Sequence, residues 1–285
     1  MKFKSQMFAA AALFLAAGVV ACSTDLAGPP ALDDAQINAD VATMSGETVA
    51  SDVAGFGDNV AAAGSFTMVA PSYSVSAPGY NPASQPSFGA ISPTCSYAAG
   101  RYSCSATTEQ GLSVTRSFAF YNAQGQTVQN WDATVVESVN FQAQIDGTFS
   151  KDLVWNATVH RTANLTVSGL ISLAPQRLWN GTGTGTESIS HIGLDGVRSL
   201  AGTSSVAIAN VLMPAKDAAS QNPLSGTITM DVQYTASLEG ATGTVSKDVS
   251  RHVVVTFNGS ASPALQIGLL HCVLHLDTHS VDSCQ

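Results

Sequence analysis

The chain has 285 residues, only 11% of them charged, and a formal net charge of −9. Such an acidic chain offers no basic surface to a polyphosphate backbone, so no nucleic-acid partner is expected. Little charge combined with much Ser, Thr, Gly, Asn and Gln is the composition of an exported β-protein.

The chain starts with Lys2 and Lys4, followed by an almost wholly apolar run over residues 7–17. This has the layout of an export signal and is shorter than the roughly 20 residues a stable membrane span needs. The run ends in Val19-Val20-Ala21-Cys22, followed by Ser23. These residues resemble the lipobox of bacterial lipoprotein precursors, with Val at a first position where that family more often carries Leu. The resemblance implies a signal peptide over residues 1–21, a diacylglyceryl thioether on Cys22, cleavage before that residue and acylation of the new amino terminus. It also implies the membrane as a partner through the lipid on Cys22. Ser23 is similar to the outer-membrane-sorted type, so the implied location is the bacterial outer membrane.

Residues 22–64 carry Asp25, Asp33, Asp34, Asp40, Glu47, Asp52 and Asp58, with no Lys or Arg. The rest of the stretch is rich in Ala, Gly, Pro and Ser. One-sign charge with low hydrophobicity predicts a disordered acidic tether. Residues 65–285 are expected to form a single β-rich domain. Its first part, 65–94, is Pro-rich (Pro71, Pro78, Pro82, Pro86, Pro93) and should be extended and irregular.

With Cys22 set aside, four cysteines remain: Cys95, Cys104, Cys272 and Cys284. An even remainder in an exported chain favours disulfides, and local spacing selects Cys95–Cys104 with Cys272–Cys284. Ala99-Gly100 is the expected turn of a hairpin that sets Cys95 opposite Cys104 and Tyr97 opposite Tyr102. A turn around Thr278 would do the same for the second pair.

Between the pairs the pattern has period two. Leu112, Val114, Arg116, Phe118 and Phe120 share one face, and Asn122 to Gly125 turn the chain. Val135, Glu137, Val139, Phe141 and Ile145 form the next face, ending at an Asp146-Gly147 turn. Leu153, Trp155, Ala157 and Val159 follow, then Leu165 and Val167. The cleanest alternation places Ile228, Met230, Val232, Tyr234, Ala236 and Leu238 together. Val245, Lys247, Val249, Arg251, Val253 and Val255 continue it. Trp131-Asp132-Ala133-Thr134, Trp155-Asn156-Ala157-Thr158 and Trp179-Asn180-Gly181-Thr182 are 24 residues apart. If real, that period marks a repeated hairpin with Trp on every second strand.

The pattern predicts an all-β, mainly antiparallel fold of about eight to ten strands. A strongly curved sheet or partial barrel ranks first and a two-sheet sandwich second. Arg116, Glu137, Lys247 and Arg251 are charged residues on otherwise apolar faces, and Arg116, Glu137 and Arg251 among them are the candidate ligand-binding residues; the competing reading is that such residues snorkel to water at strand ends. His271, His275 and His279 recur every four residues. On a strand that spacing is about 13 Å, too wide for one tetrahedral ion, so no metal or other cofactor is expected. Gly183 and Gly185 belong to a small-residue strand that lets a neighbour or ligand approach closely. No G-x-S-x-G or H-E-x-x-H motif occurs, so no catalytic residue is nominated.

The expected function is a lipid-anchored cell-envelope protein with a non-enzymatic binding or structural role, holding a lipid or other apolar ligand. In outline this is similar to the half-barrel lipid carriers of bacterial envelopes. The alternatives are a surface adhesion or glycan-binding module and, more remotely, a hydrolase.

Overall fold

A computed structural model describes residues 32–63, 95–109, 111–150, 155–193, 196–215, 218–282 and 284–285. Cys22, the signal segment 1–21 and the Pro-rich stretch 65–94 lie outside the described residues. Among the described residues one helix, α1 (Asp34–Ala63), precedes thirteen strands. These are β1 (Cys95–Ala98), β2 (Arg101–Glu109), β3 (Leu112–Tyr121), β4 (Thr127–Val128), β5 (Ser138–Ser150), β6 (Trp155–Ser168) and β7 (Arg177–Gly193). They continue with β8 (Gly196–Met213), β9 (Ser225–Gly240), β10 (Gly243–Thr256), β11 (Ala264–Ile267), β12 (Leu270–His275) and β13 (Ser280–Val281). The fold is all-β, and the count exceeds the expected number because several strands are very short.

Each strand pairs antiparallel with its neighbour in sequence, except that β4 pairs β3 at the side and β5 takes its place on the path. The result is one up-and-down sheet that does not close on itself. It is strongly curved, and α1 shows why. Thr48 reaches Arg161 on β6. Gly46, one half-turn away, lies against Val281 on β13. Seven strand steps separate β6 from β13, roughly 34 Å in a flat sheet, whereas a helix is about 10–12 Å across. The sheet therefore wraps around the helix.

That wrapping corrects the expectation of a disordered tether for residues 34–63. Asp33 caps the helix by accepting the Ala35 N–H at 3.0 Å. Ile37, Val41, Met44, Val49 and Val53 are buried, and so are the small residues Ala42, Ser45, Thr48 and Ala50 between them. Small side chains let the sheet close in on nearly every side. At Gly46 even a methyl group would run into Val281 and press on Leu274. The acidic run has distant partners. Lys247 Nζ donates to Asp34 at 2.6 Å, Arg251 Nε to Asn38 at 2.7 Å and Arg198 Nη1 to Asp40 at 3.0 Å.

The predicted strand faces largely hold. Leu112, Val114, Phe118 and Phe120 are buried, as are Ile228 to Ala236 in alternation. Cys95 stands opposite Cys104 and Tyr97 opposite Tyr102 across a turn with positive φ at Ala99 and Gly100. Both cysteine pairs, Cys95–Cys104 and Cys272–Cys284, are bonded. Three expectations fail. Residues 133–135 are a turn, so Val135 is exposed and Val136 is buried instead. Asp146-Gly147 lies inside β5, which runs on to Ser150. The 24-residue spacing marks no structural repeat, because Trp131 lies between strands while Trp155 and Trp179 fall on adjacent ones.

Candidate functional site

The three nominated charges do not converge. Arg116 is buried on β3 opposite Cys104 and Ala143. Glu137 ties down the loop after β6: one carboxylate oxygen accepts the backbone N–H groups of Ile171 and Ser172 at 3.0 and 3.1 Å, and the other accepts the Ser172 hydroxyl. Arg251 docks α1 through Asn38 and lies 3.8 Å from Asp34. Two of the three are thus structural fasteners rather than ligand contacts.

Burial alone would push the Glu137 pKa up, but the hydrogen bonds from Ser172, Ile171 and Gly169 outweigh it and hold it below the usual carboxylate range. A depressed carboxylate contributes stability that is complete above its unfolded value, about pH 4.3, and is lost as pH falls through the native value. We expect Glu137→Gln to lower stability near neutral pH and to flatten its decline in acid. Urea titrations between about pH 3 and 6 test this; parallel acid limbs for the two proteins would contradict it.

Sequence reasoning missed a polar cluster at the centre of the concave face. Arg161 on β6 and Glu187 on β7 point inward beside Ser204 on β8 and Tyr234 on β9. Arg161 Nε donates to Glu187 Oε1 at 2.6 Å, and its Nη2 forms a second close contact with the same oxygen. Ser204 Oγ donates to Oε1 at 3.2 Å and Tyr234 Oη to Oε2 at 3.3 Å. Arg161 Nη2 also reaches Thr48 Oγ1 at 3.4 Å, and Asp52 is close enough to act on its charge. Glycine makes room for this group. A Cβ on Gly185 would sit 2.9 Å from Ser204 Oγ and 3.0 Å from Glu187 Oε1. The sequence reading anticipated a close approach along this strand, but not what approaches.

The cluster holds its protons firmly. Burial lowers the Arg161 pKa, but the charge and hydrogen bonds of Glu187 more than reverse this and leave it raised. Burial and then Glu187 raise the Tyr234 phenol well above its usual value. A permanently charged guanidinium and a permanently protonated phenol suit a structural clamp better than proton transfer. The adjoining cavity, under Thr48 and Asp52 and over Gly183, is about 40 Å³, room for water but not for a substrate.

A larger cleft of about 310 Å³ opens between the first half of α1 and strands β7 to β9. Its floor is apolar: Leu32, Ile37, Met44, Ile189, Leu200 and Ala236. Gln36, Asp40, Thr43 and Glu47 line the helix side, spaced three or four apart and so on one face. His191, Arg198, Ser199 and Ser237 line the sheet side, and the Asp40–Arg198 pair bridges the rim with both side chains partly exposed. The helix wall follows from the helical period, and the sheet wall from the facing ends of β7, β8 and β9, where His191 stands opposite Arg198 and Leu200 opposite Ala236. The volume is at the lower end of the range for small-molecule sites.

The three histidines are separately placed. His275 Nε2 lies 3.0 Å from Asp282, and burial pulls the His279 pKa down against the charge of Asp277. Among the described residues, no group of three His, Cys, Asp or Glu side chains is arranged to hold a metal ion, and no helix is long and apolar enough to cross a membrane. No protein-family model, curated protein or solved structure matches this chain.

Proposed function

We propose that this chain is a lipid-anchored bacterial envelope protein that binds an apolar or amphipathic small molecule without transforming it. The cleft between α1 and β7–β9 carries the reading: it combines an apolar floor with a few polar groups at its mouth. Its position adds support. Leu32, Gln36 and Ile37 line it at the end of α1 nearest Cys22 in sequence. The intervening residues 23–33 reach at most about 40 Å when fully extended. A domain anchored at Cys22 therefore holds the cleft within reach of the outer-membrane surface, where amphiphiles are concentrated. The adhesion or glycan-binding alternative would use Tyr97, Tyr102 and Trp131. Tyr102 spends a ring face on Phe118, and Trp131 sets its edge against Phe120, so these rings form a ladder toward the core rather than an open platform.

Two measurements test the proposal. Metabolic labelling with a fatty-acid analogue should mark the wild type and not Cys22→Ala; undiminished labelling of the variant removes the anchor. Native mass spectrometry of protein extracted from its own membrane should show a bound small molecule that denaturation releases. Protein that carries none, and that also fails to take up a fluorescent fatty-acid probe, would leave the binding role without support.

A further inference from the structure

We infer that the cleft selects a single-chain amphiphile with a zwitterionic head, an ammonium joined to a phosphate or carboxylate. This rests on the binding role proposed above and adds the class of ligand. The cleft is small for its kind, which suits one acyl chain on the floor of Ile37, Met44 and Leu200 and leaves no room for two.

The head is specified by the Asp40–Arg198 pair. It joins the acidic helix wall to the sheet wall at 3.0 Å, with side chains 29% and 35% exposed. A pair this exposed is held weakly and opens readily. An entering anion would take Arg198 and leave Asp40 with only the neutral Gln36 amide, 3.2 Å from its other oxygen, in place of a cation. An entering ammonium would take Asp40 and leave Arg198 without its partner. Only a head bearing both charges replaces one ion pair by two, leaving neither side chain desolvated and uncompensated.

The test uses three probes of equal chain length, below their critical micelle concentrations: lysophosphatidylethanolamine, lysophosphatidylglycerol and an alkyltrimethylammonium. Binding is read by displacement of a fluorescent fatty-acid probe and by calorimetry. The zwitterion should bind at least tenfold more tightly than either singly charged probe. Asp40→Asn should erase its advantage over the anionic probe, and Arg198→Gln its advantage over the cationic one. Leu200→Trp should block all three. Both rim positions are partly exposed, and thermal melts will show that the variants fold. Equal binding of the three heads, with Leu200→Trp blocking them all, would overturn the zwitterion inference while sparing the cleft. Failure of every probe to bind would overturn the binding role itself, and the inference with it.

Discussion

Glu187→Ala is expected to be the most damaging single substitution in the sheet, costing about 3–5 kcal/mol because it leaves a buried guanidinium without its main partner. The Glu187 side chain is 0% exposed and that of Arg161 only 13%. Thr48 and Asp52 still face Arg161 from the helix, so the lower end of the range is expected. Domains of this kind are typically stable by about 5–15 kcal/mol, which makes such a loss a large fraction of the total. The design has an internal control. Replacing both members by apolar residues of similar volume, Arg161→Met with Glu187→Leu, should recover most of the loss, because the penalty lies in the stranded charge and not in the absent pair. Urea unfolding followed by tryptophan fluorescence is a suitable readout, since Trp179 is fully buried against Phe141. A Glu187→Ala midpoint within experimental error of wild type would show that Arg161 finds adequate partners elsewhere.

The strand faces were legible because their cause is local. A residue two positions along a strand returns to the same face, so Ile228, Met230, Val232, Tyr234 and Ala236 announce a buried surface without any knowledge of the rest of the chain. The Cys95 hairpin was legible for the same reason: turn and bridge lie within ten consecutive residues. α1 was not, because what holds it is far away in sequence. Asp34 and Asp40 look like solvated charge until Lys247 and Arg198 are placed beside them. Its apolar positions Ile37, Val41, Val49 and Val53 are diluted by Ala, Gly, Ser and Thr, whose small size is what fits the helix into a tightly curved sheet.

The polar cluster left a fainter signal. Arg161 is in phase with Val159, Ala163 and Leu165, while Glu187 is in phase with Ile189 and with Gly183 and Gly185. Two opposite charges on the apolar faces of successive strands, with glycine beside one of them, point to a buried pair. The same argument applied to Arg116, Glu137 and Arg251 selected residues that never meet: Arg116 lies in the middle of β3, Glu137 just ahead of the neighbouring β5, and Arg251 on β10. Phase alone places a charge on the inner face; only the register, which sets Arg161 opposite Gly185 and Gly185 opposite Ser204, brings charges together. The cleft had no local signal at all, since its two walls come from segments about 150 residues apart.

Removal of residues 34–63 is therefore expected to abolish cooperative folding, the reverse of what a dispensable tether would do. Burying Ile37, Val41, Val49 and Val53 contributes on the order of 1.5–3 kcal/mol each, a sum comparable to the whole stability of a typical domain. The loss would not stop at the helix. Val249, Val253, Leu265 and Leu274 line the wrapped face of β10 to β12 and would become an exposed apolar surface. An open sheet of this kind has no second layer to take the place of α1, since the remaining described elements all belong to the sheet itself. The truncated protein should bind a hydrophobic dye, lose its sharp thermal transition and aggregate at concentrations where the full chain is monodisperse. Gly46→Val gives a milder version that keeps every other contact. Its added side chain meets Val281 and Leu274, so it should lower the melting temperature by several degrees and speed proteolysis within α1 before any cut in β5 to β10. An unchanged transition in the truncated chain, together with rapid cleavage of α1 in the wild type, would place the helix outside the folded core. It would also remove the wall that Asp40 and Met44 give to the cleft.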